Sequence, residues 1–190
     1  MKISAVLLAG GKSRRMGQDK STILFRHTPL WQIQLDLLRK LPLQELFISA
    51  QSDPPWRPAD IQFVADDQPS RGPLSGIAAA LSRISNGSHL LALAIDMPFM
   101  TETYLRGLCE KVERGRGVVP LIENRAEPLA AIYPREAHHD VVDALSGSDF
   151  SLQSLVGKLI AAEKLQPIQV SETEKAFFRN MNDPGDLDRG

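Results

Sequence analysis

Five short apolar runs punctuate the first two thirds of the chain: Ile3–Leu8, Leu46–Ala50, Gln62–Ala65, His89–Ile95 and Gly117–Leu121. They are nearly continuous in their hydrophobicity, as expected of strands buried on both faces. Between them the apolar residues recur at helical spacing. Pro29 suits the first turn of a helix through Leu41, with Leu30, Ile33, Leu37 and Leu41 on one face. A second helix is expected from Pro73 through Ile77, Ala80, Leu81 and Ile84. Thr101 can cap a third, with Glu102 in its first turn and Tyr104, Leu105, Leu108, Cys109 and Val112 turned inward.

The later pattern is less regular. Pro128–Tyr133 reads as a strand and Pro134 onward as helical. Leu152, Leu155, Leu159 and Ile160 mark a further helix, Pro167–Val170 a late edge strand, and Pro184–Leu187 a short closing helix. Strands alternating with helices predict an α/β fold: a mostly parallel central sheet with helices on both faces. The loop Gln51–Ala59, with its three prolines and Trp56, reads as a surface connection, so one domain over residues 1–190 is expected.

Composition changes this picture little. A chain of 190 residues with 43% hydrophobic residues suffices for one sizeable core, and 24% charged residues is ordinary for a globular protein. The net charge of −1 argues against a surface that grips nucleic acid, which needs a marked basic excess. The apolar start of the chain is too short for a signal-peptide core and ends in Gly10-Gly11 followed by basic residues, so a buried first strand is the expectation. No run is long enough to span a bilayer. A single cysteine, Cys109, allows no internal disulfide and suits a reducing cytoplasm. It lies on the apolar face of its helix and reads as core. His138-His139 are neighbours that point in different directions on a helix, with no ligand partner at suitable spacing, and read as solvated.

Chemistry concentrates in one stretch: Leu8-Ala9-Gly10-Gly11-Lys12-Ser13-Arg14-Arg15-Met16-Gly17-Gln18-Asp19-Lys20. Glycines directly after a strand let backbone N–H groups approach an anion closely. Lys12, Arg14, Arg15 and Lys20 bring four cations to the same place, and open parallel sheets bind ligands at this carboxyl edge. The spacing matches neither a Walker loop nor the dinucleotide fingerprint. A carboxylate at the end of a later apolar strand, Asp96 in Asp96-Met97-Pro98, is a position for a hard divalent cation.

Leu-Ala-Gly-Gly, then Arg-Met-Gly, then Asp-Lys resembles the signature of the nucleotidyltransferases that activate sugars, cofactors and pterins. Within that superfamily the chain is most similar to the molybdenum cofactor guanylyltransferases. Related cytidylyltransferases usually carry Ala-Ala-Gly where Ala9-Gly10-Gly11 stands, and sugar guanylyltransferases usually continue with Gly-Thr-Arg. Further segments match in order: Arg71-Gly72-Pro73-Leu74-Ser75-Gly76-Ile77 is similar to the second nucleotide-side loop, Glu127–Tyr133 to the acceptor-side strand, and Phe178-Arg179-Asn180-Met181-Asn182-Asp183-Pro184 to the closing motif.

The resemblance implies a Rossmann-like three-layer sandwich of the nucleotide-diphospho-sugar transferase type. It implies GTP and molybdopterin as substrates and Mg²⁺ on Asp96. Arg15, Lys20 and Asp96 would carry catalysis. Leu8, Ala9, Gly10, Gly11, Lys20, Ser49, Asp66 and Asp96 would hold the nucleotide, and Asn180 and Asn182 the acceptor. Ser49 stands where the family often has Asn for base recognition, and Asp183 where Thr is common. Of Asp66 and Asp67, Asp66 is favoured because it directly follows Phe63-Val64-Ala65. Proteins that deliver molybdopterin or mature molybdoenzymes are the implied partners; nucleic acid and membrane are not. The competing expectations are a cytidylyltransferase or sugar-1-phosphate nucleotidyltransferase of the same core, and a non-catalytic nucleotide-binding module.

Overall fold

The computed structural model describes residues 1–10, 20–66 and 69–181. In chain order the elements are β1 (Ile3–Leu8), β2 (Leu24–Phe25), β3 (Thr28–Pro29), α1 (Leu30–Arg39), β4 (Leu46–Ala50) and β5 (Gln62–Ala65). They continue with α2 (Pro73–Arg83), β6 (His89–Ala94), α3 (Glu102–Glu110), β7 (Gly117–Ile122), β8 (Arg125–Ala126) and β9 (Ala130–Pro134). Last come α4 (His138–Ser146), α5 (Leu152–Ala161) and β10 (Leu165–Gln169).

Every side chain of β1 and of β6 is buried, and these two strands lie at the heart of the sheet. The strand order is β10-β7-β9-β6-β1-β4-β5, with β8 paired to β7. β1 runs parallel to both β4 and β6, β4 to β5, and β7 to β10. β9 is antiparallel to β6 and β7. The chain winds outward from β1 to β5, then crosses back and lays β6 on the other side of β1. That reversal leaves a crevice at the carboxyl ends of β1 and β6, the topological switch point of an α/β sheet. One face of the sheet is covered by α1 and α3, which bury Leu30, Leu35, Leu38, Leu105 and Leu108. The other is covered by α2, α4 and α5 through Leu74, Ile77, Leu81, Val141, Leu155 and Leu159. The expected α/β sandwich is the observed one.

Differences from the sequence expectations are local. Pro29 precedes α1 with an extended backbone (ψ 144°) because it pairs with Leu24 in the β2–β3 hairpin, and α1 ends at Arg39. Arg26 and His27 turn that hairpin with φ of 50° and 68°, the left-handed conformation that a two-residue type I′ turn requires. Two-residue strands leave no periodicity to detect. β9 begins at Ala130 because Glu127–Ala130 closes a turn, Ala130 N donating to Glu127 O at 3.2 Å, while Pro128 O accepts from the Tyr133 hydroxyl at 2.8 Å. Pro134 ends that strand, and a 3₁₀ turn (Arg135–Ala137) leads into α4. Thr101 caps α3 as expected, its Oγ accepting from Tyr104 N. The proposed helix at Pro184–Leu187 lies outside the described residues; a 3₁₀ turn at Lys175–Phe178 packs its Phe178 into the α1/α3 face. Among the described residues, no helix is long and apolar enough to cross a membrane.

Candidate active site

Leu8 and Ala94 are register partners, so the chain leaves β1 as Ala9-Gly10 beside the place where it leaves β6 as Ile95-Asp96. Two hydrogen bonds extend the sheet into both exits: Ala9 N donates to Ser49 O at 2.8 Å, and Ile95 N to Leu8 O at 3.2 Å. Across this crevice Lys20, at the start of a 3₁₀ turn (Lys20–Thr22), places Nζ 2.9 Å from Asp96 Oδ2. The two side chains are 22% and 18% exposed, which is enough to receive a ligand and little enough to limit solvent screening. Residues 76 positions apart thus converge on one patch carrying an ammonium and a carboxylate. Such a patch can hold a phosphate and a divalent cation side by side.

The turn that carries Asp96 is held from two directions. Gln34, fully buried in α1, donates from Nε2 to Met97 O at 2.6 Å. From the far end of the chain, Met181 N donates to Asp96 O at 2.9 Å. The sequence reading missed Gln34. Its signal was a polar residue on the buried stripe of α1, four positions after Leu30 and three before Leu37.

On the β5 side, Asp66 is 6% exposed and doubly bonded: Oδ1 accepts from the Ser49 hydroxyl at 2.6 Å, and Oδ2 from the Ser70 hydroxyl at 3.1 Å. It also borders the turn after β1, since a Cβ added to Gly10 would lie 3.2 Å from Asp66 Oδ2. Ser49 itself is 1% exposed, beneath the first turn of α2. A Cβ at Gly76 would come within 2.5 Å of Ser49 Oγ and 2.7 Å of Leu8 Cδ2, so the missing side chain lets α2 press onto β1 and β4. Ser49 therefore addresses Asp66. The loop ahead of α2 is organised by Ser70 and Ser75, whose hydroxyls accept from Gly72 N and Arg71 N. The Arg71 guanidinium lies 4.2 Å above the Phe150 ring, joining this loop to the approach to α5.

On the other side of Asp96, Asn180 is exposed and adjoins buried Met181; Arg179 packs over Phe99 at 5.2 Å. Glu127 is half-buried ahead of β9, and burial pushes its carboxyl up against the opposing charge of Arg125. Leu8, Ala9, Gly10, Lys20, Ser49, Asp66, Asp96 and Asn180 are thus arranged around one end of the sheet. Gly11, Arg15, Asp67 and Asn182 lie outside the described residues.

A family model, the MobA-like NTP transferase domain, matches residues 5–164. The chain belongs to this family. A probable molybdenum cofactor guanylyltransferase of Opitutus terrae is 32% identical over 189 residues, covering 98% of this chain and 94% of its own. The molybdenum cofactor guanylyltransferase of Xanthomonas euvesicatoria pv. vesicatoria is 28% identical over 183 residues, covering 95% and 90%. Among solved structures, molybdopterin-guanine dinucleotide biosynthesis protein A from Archaeoglobus fulgidus superposes with a TM-score of 0.78 at 22% identity, covering 98% of this chain and 95% of that one. A 2-C-methyl-D-erythritol 4-phosphate cytidylyltransferase from Thermus thermophilus gives 0.70 at 16%, covering 100% and 96%. At these identities the two structures speak for the fold.

In this MobA-like nucleotidyltransferase, other reactive side chains are set apart from the crevice by their surroundings. Burial pushes the Cys109 thiol up to about 11, a protonated core sulfur with little nucleophilic character at neutral pH. His139 is exposed on α4 and pairs with Asp143 one turn along at 3.0 Å.

Proposed function

We propose that this chain transfers GMP from GTP to the phosphate of molybdenum-molybdopterin, releasing pyrophosphate and forming the molybdopterin guanine dinucleotide. The observation that carries this reading is the Lys20–Asp96 pair at the switch point, beside the glycine turn after β1. The family and the relatives' names support the substrates.

The acceptor phosphate oxygen attacks the α-phosphorus in line, and the bond to the pyrophosphate oxygen breaks as the new one forms. A phosphomonoester is largely dianionic at neutral pH, with a second pKa of about 6, so the nucleophile needs no general base. The difficulty is electrostatic: two anions must meet while charge builds on the leaving group. Lys20 stabilises that charge, joined by Arg15 on the strength of the family signature. Gly10, joined by Gly11 on the strength of the family signature, would supply backbone donors to the phosphates.

Among the described residues no three acidic, histidine or cysteine side chains cluster as a metal cage. One partly exposed carboxylate is nonetheless the usual protein share for Mg²⁺, which keeps several waters and binds substrate phosphates directly. Asp96 would hold it, and the ion supplies Lewis-acid neutralisation of the phosphate oxygens. Asp66 contacts the nucleotide, and Ser49 and Ser70 orient its carboxylate. Asn180 would face the acceptor, since it adjoins Met181, whose N–H is tied to the Asp96 carbonyl, and Asn182 joins it on the strength of the family signature alone. Delivery of molybdopterin by a partner protein fits the same reading.

The test is incubation with each NTP, Mg²⁺ and molybdopterin, followed by identification of the dinucleotide. Guanine dinucleotide with GTP alone is the expected product. A cytosine dinucleotide would move the chain to the cytidylyltransferases. GTP binding without pyrophosphate release from any NTP would reduce it to a binding module.

A further inference from the structure

Glu127 has no task in the reaction above. β9 is antiparallel to β6, with Leu93 opposite Ala130, so the segment leading into β9 stands where β6 ends. Glu127 and Asp96 are each two residues from the hydrogen bond between Ala94 N and Leu129 O, at most about 7 Å of chain on either side. The segment is rigidly held. Glu127 N donates to Pro120 O at 2.9 Å, its carbonyl accepts from Ala130 N at 3.2 Å, and Pro128 O takes the buried Tyr133 hydroxyl. Proline at the next position further restricts Glu127 to extended backbone.

The carboxylate at the end of this frame is half-buried. Among the described residues it makes no hydrogen bond and no ion pair, and Arg125 acts on it only through its charge. A partly desolvated carboxylate with open acceptor positions, carried on a held backbone, gains from a ligand that brings donors to both oxygens. Two carboxylate oxygens accept best from two parallel N–H donors. A 2-amino-4-oxopyrimidine presents such a pair: the ring N–H and the adjacent exocyclic NH₂.

We infer that Glu127 binds the aminopyrimidinone edge of the pterin acceptor, its two oxygens accepting from the ring N–H and the 2-amino group. The inference rests on the proposed transfer to a pterin. Guanine carries the same edge, but Glu127 and the nucleotide-side residues stand on opposite sides of Asp96. Asp66, Ser49 and Gly76 belong to the β1/β4/β5 half of the sheet, and Glu127 to the β6/β9/β7 half.

The experiment has two arms. In the first, steady-state transfer is measured for wild type, Glu127→Gln and Glu127→Asp with GTP, Mg²⁺ and molybdopterin. Glu127→Gln, which presents an NH₂ where an acceptor is required, should raise KM for the acceptor by about 10- to 100-fold, with KM for GTP and kcat within about twofold of wild type. Glu127→Asp should fall between the two. In the second arm, binding of 6-hydroxymethylpterin and of 6-hydroxymethyllumazine, which has an oxo group in place of the 2-amino group, is followed by fluorescence. Wild type should prefer the pterin by about tenfold, and Glu127→Gln should lose that preference. An unchanged acceptor KM, a rise in the KM for GTP alone, or a pterin preference that survives in Glu127→Gln overturns the assignment. If wild type makes no dinucleotide, the transfer reading fails, while the pterin–lumazine comparison still decides the role of Glu127.

Discussion

Replacing Gly76 by alanine tests the packing that holds the Asp66 carboxylate. The new Cβ would sit 2.5 Å from Ser49 Oγ, about 0.9 Å short of the 3.4 Å at which ordinary contact begins. Two responses are open. If α2 retreats, the cost is that of an overpacked core, about 1–3 kcal/mol. If Ser49 rotates instead, Asp66 loses its 2.6 Å hydrogen bond while almost fully buried, at about 1.5–3 kcal/mol for a bond to a charged group. The gain in helix propensity offsets about 1 kcal/mol of either. A net destabilisation of up to about 2 kcal/mol follows, or up to roughly 8 °C in Tm for a chain of this size. Ser49→Ala removes the obstructing oxygen, so Gly76→Ala should cost about 1 kcal/mol less in that background. Thermal and denaturant melts of the two single variants and the double variant measure this. If Gly76→Ala raised Tm, or if the two changes added within about 0.5 kcal/mol, the contact would not be the constraint described.

Lys20→Ala and Asp96→Ala should each lower kcat for pyrophosphate release by on the order of 10²–10³ while circular dichroism and Tm stay close to wild type; near-normal turnover in either removes its assigned role. Gly117→Ala should be among the most damaging single changes, at or above about 3 kcal/mol, because the added carbon would lie 1.9 Å from the Ile132 carbonyl oxygen, a backbone atom that cannot rotate away. An unchanged denaturation midpoint would contradict this. His89 is fully buried, its Nε2 at 3.2 Å from Arg116 O and its Nδ1 at 2.9 Å from Ser88 Oγ, and burial lowers its pKa below the ordinary value. The unfolded chain therefore binds the proton more readily, and stability should fall as pH drops below about 6.5, with little effect above it. Melts from pH 8 to 5 should show a shallower slope for His89→Gln than for wild type; parallel slopes would exonerate His89.

The layered fold was legible because its central strands are buried on both faces and interrupted by helices of ordinary spacing. Ile3–Leu8, Leu46–Ala50 and Gln62–Ala65 have the expected limits. The order of the strands was not legible, since periodicity says nothing of who lies beside whom; the antiparallel insertion of β9 between β6 and β7 depends on tertiary pairing. In the site, Lys20 and Asp96 were readable from a glycine-basic stretch and a strand-terminal carboxylate, and the fold brings them to 2.9 Å. Ser49 was legible as a residue of the site's region but not in its contacts: only the approach of Gly76 on α2 explains why its hydroxyl faces Asp66. Gln34 and Ser70 were hidden for a similar reason. An uncharged polar residue in a helix or loop announces no partner until the chain has folded around it.

The ammonium of Lys20 and the carboxylate of Asp96 currently neutralise each other. On the proposed reading, a bare magnesium ion would compete with the lysine for its oxygen, and a metal-free nucleotide with the aspartate for its cation. The metal–nucleotide complex faces neither contest, because it brings each of the two residues a replacement of opposite sign. The Lys20–Asp96 pair would thus be a latch that yields to the two ligands together more readily than to either one, and on that reading their binding should be mutually reinforcing.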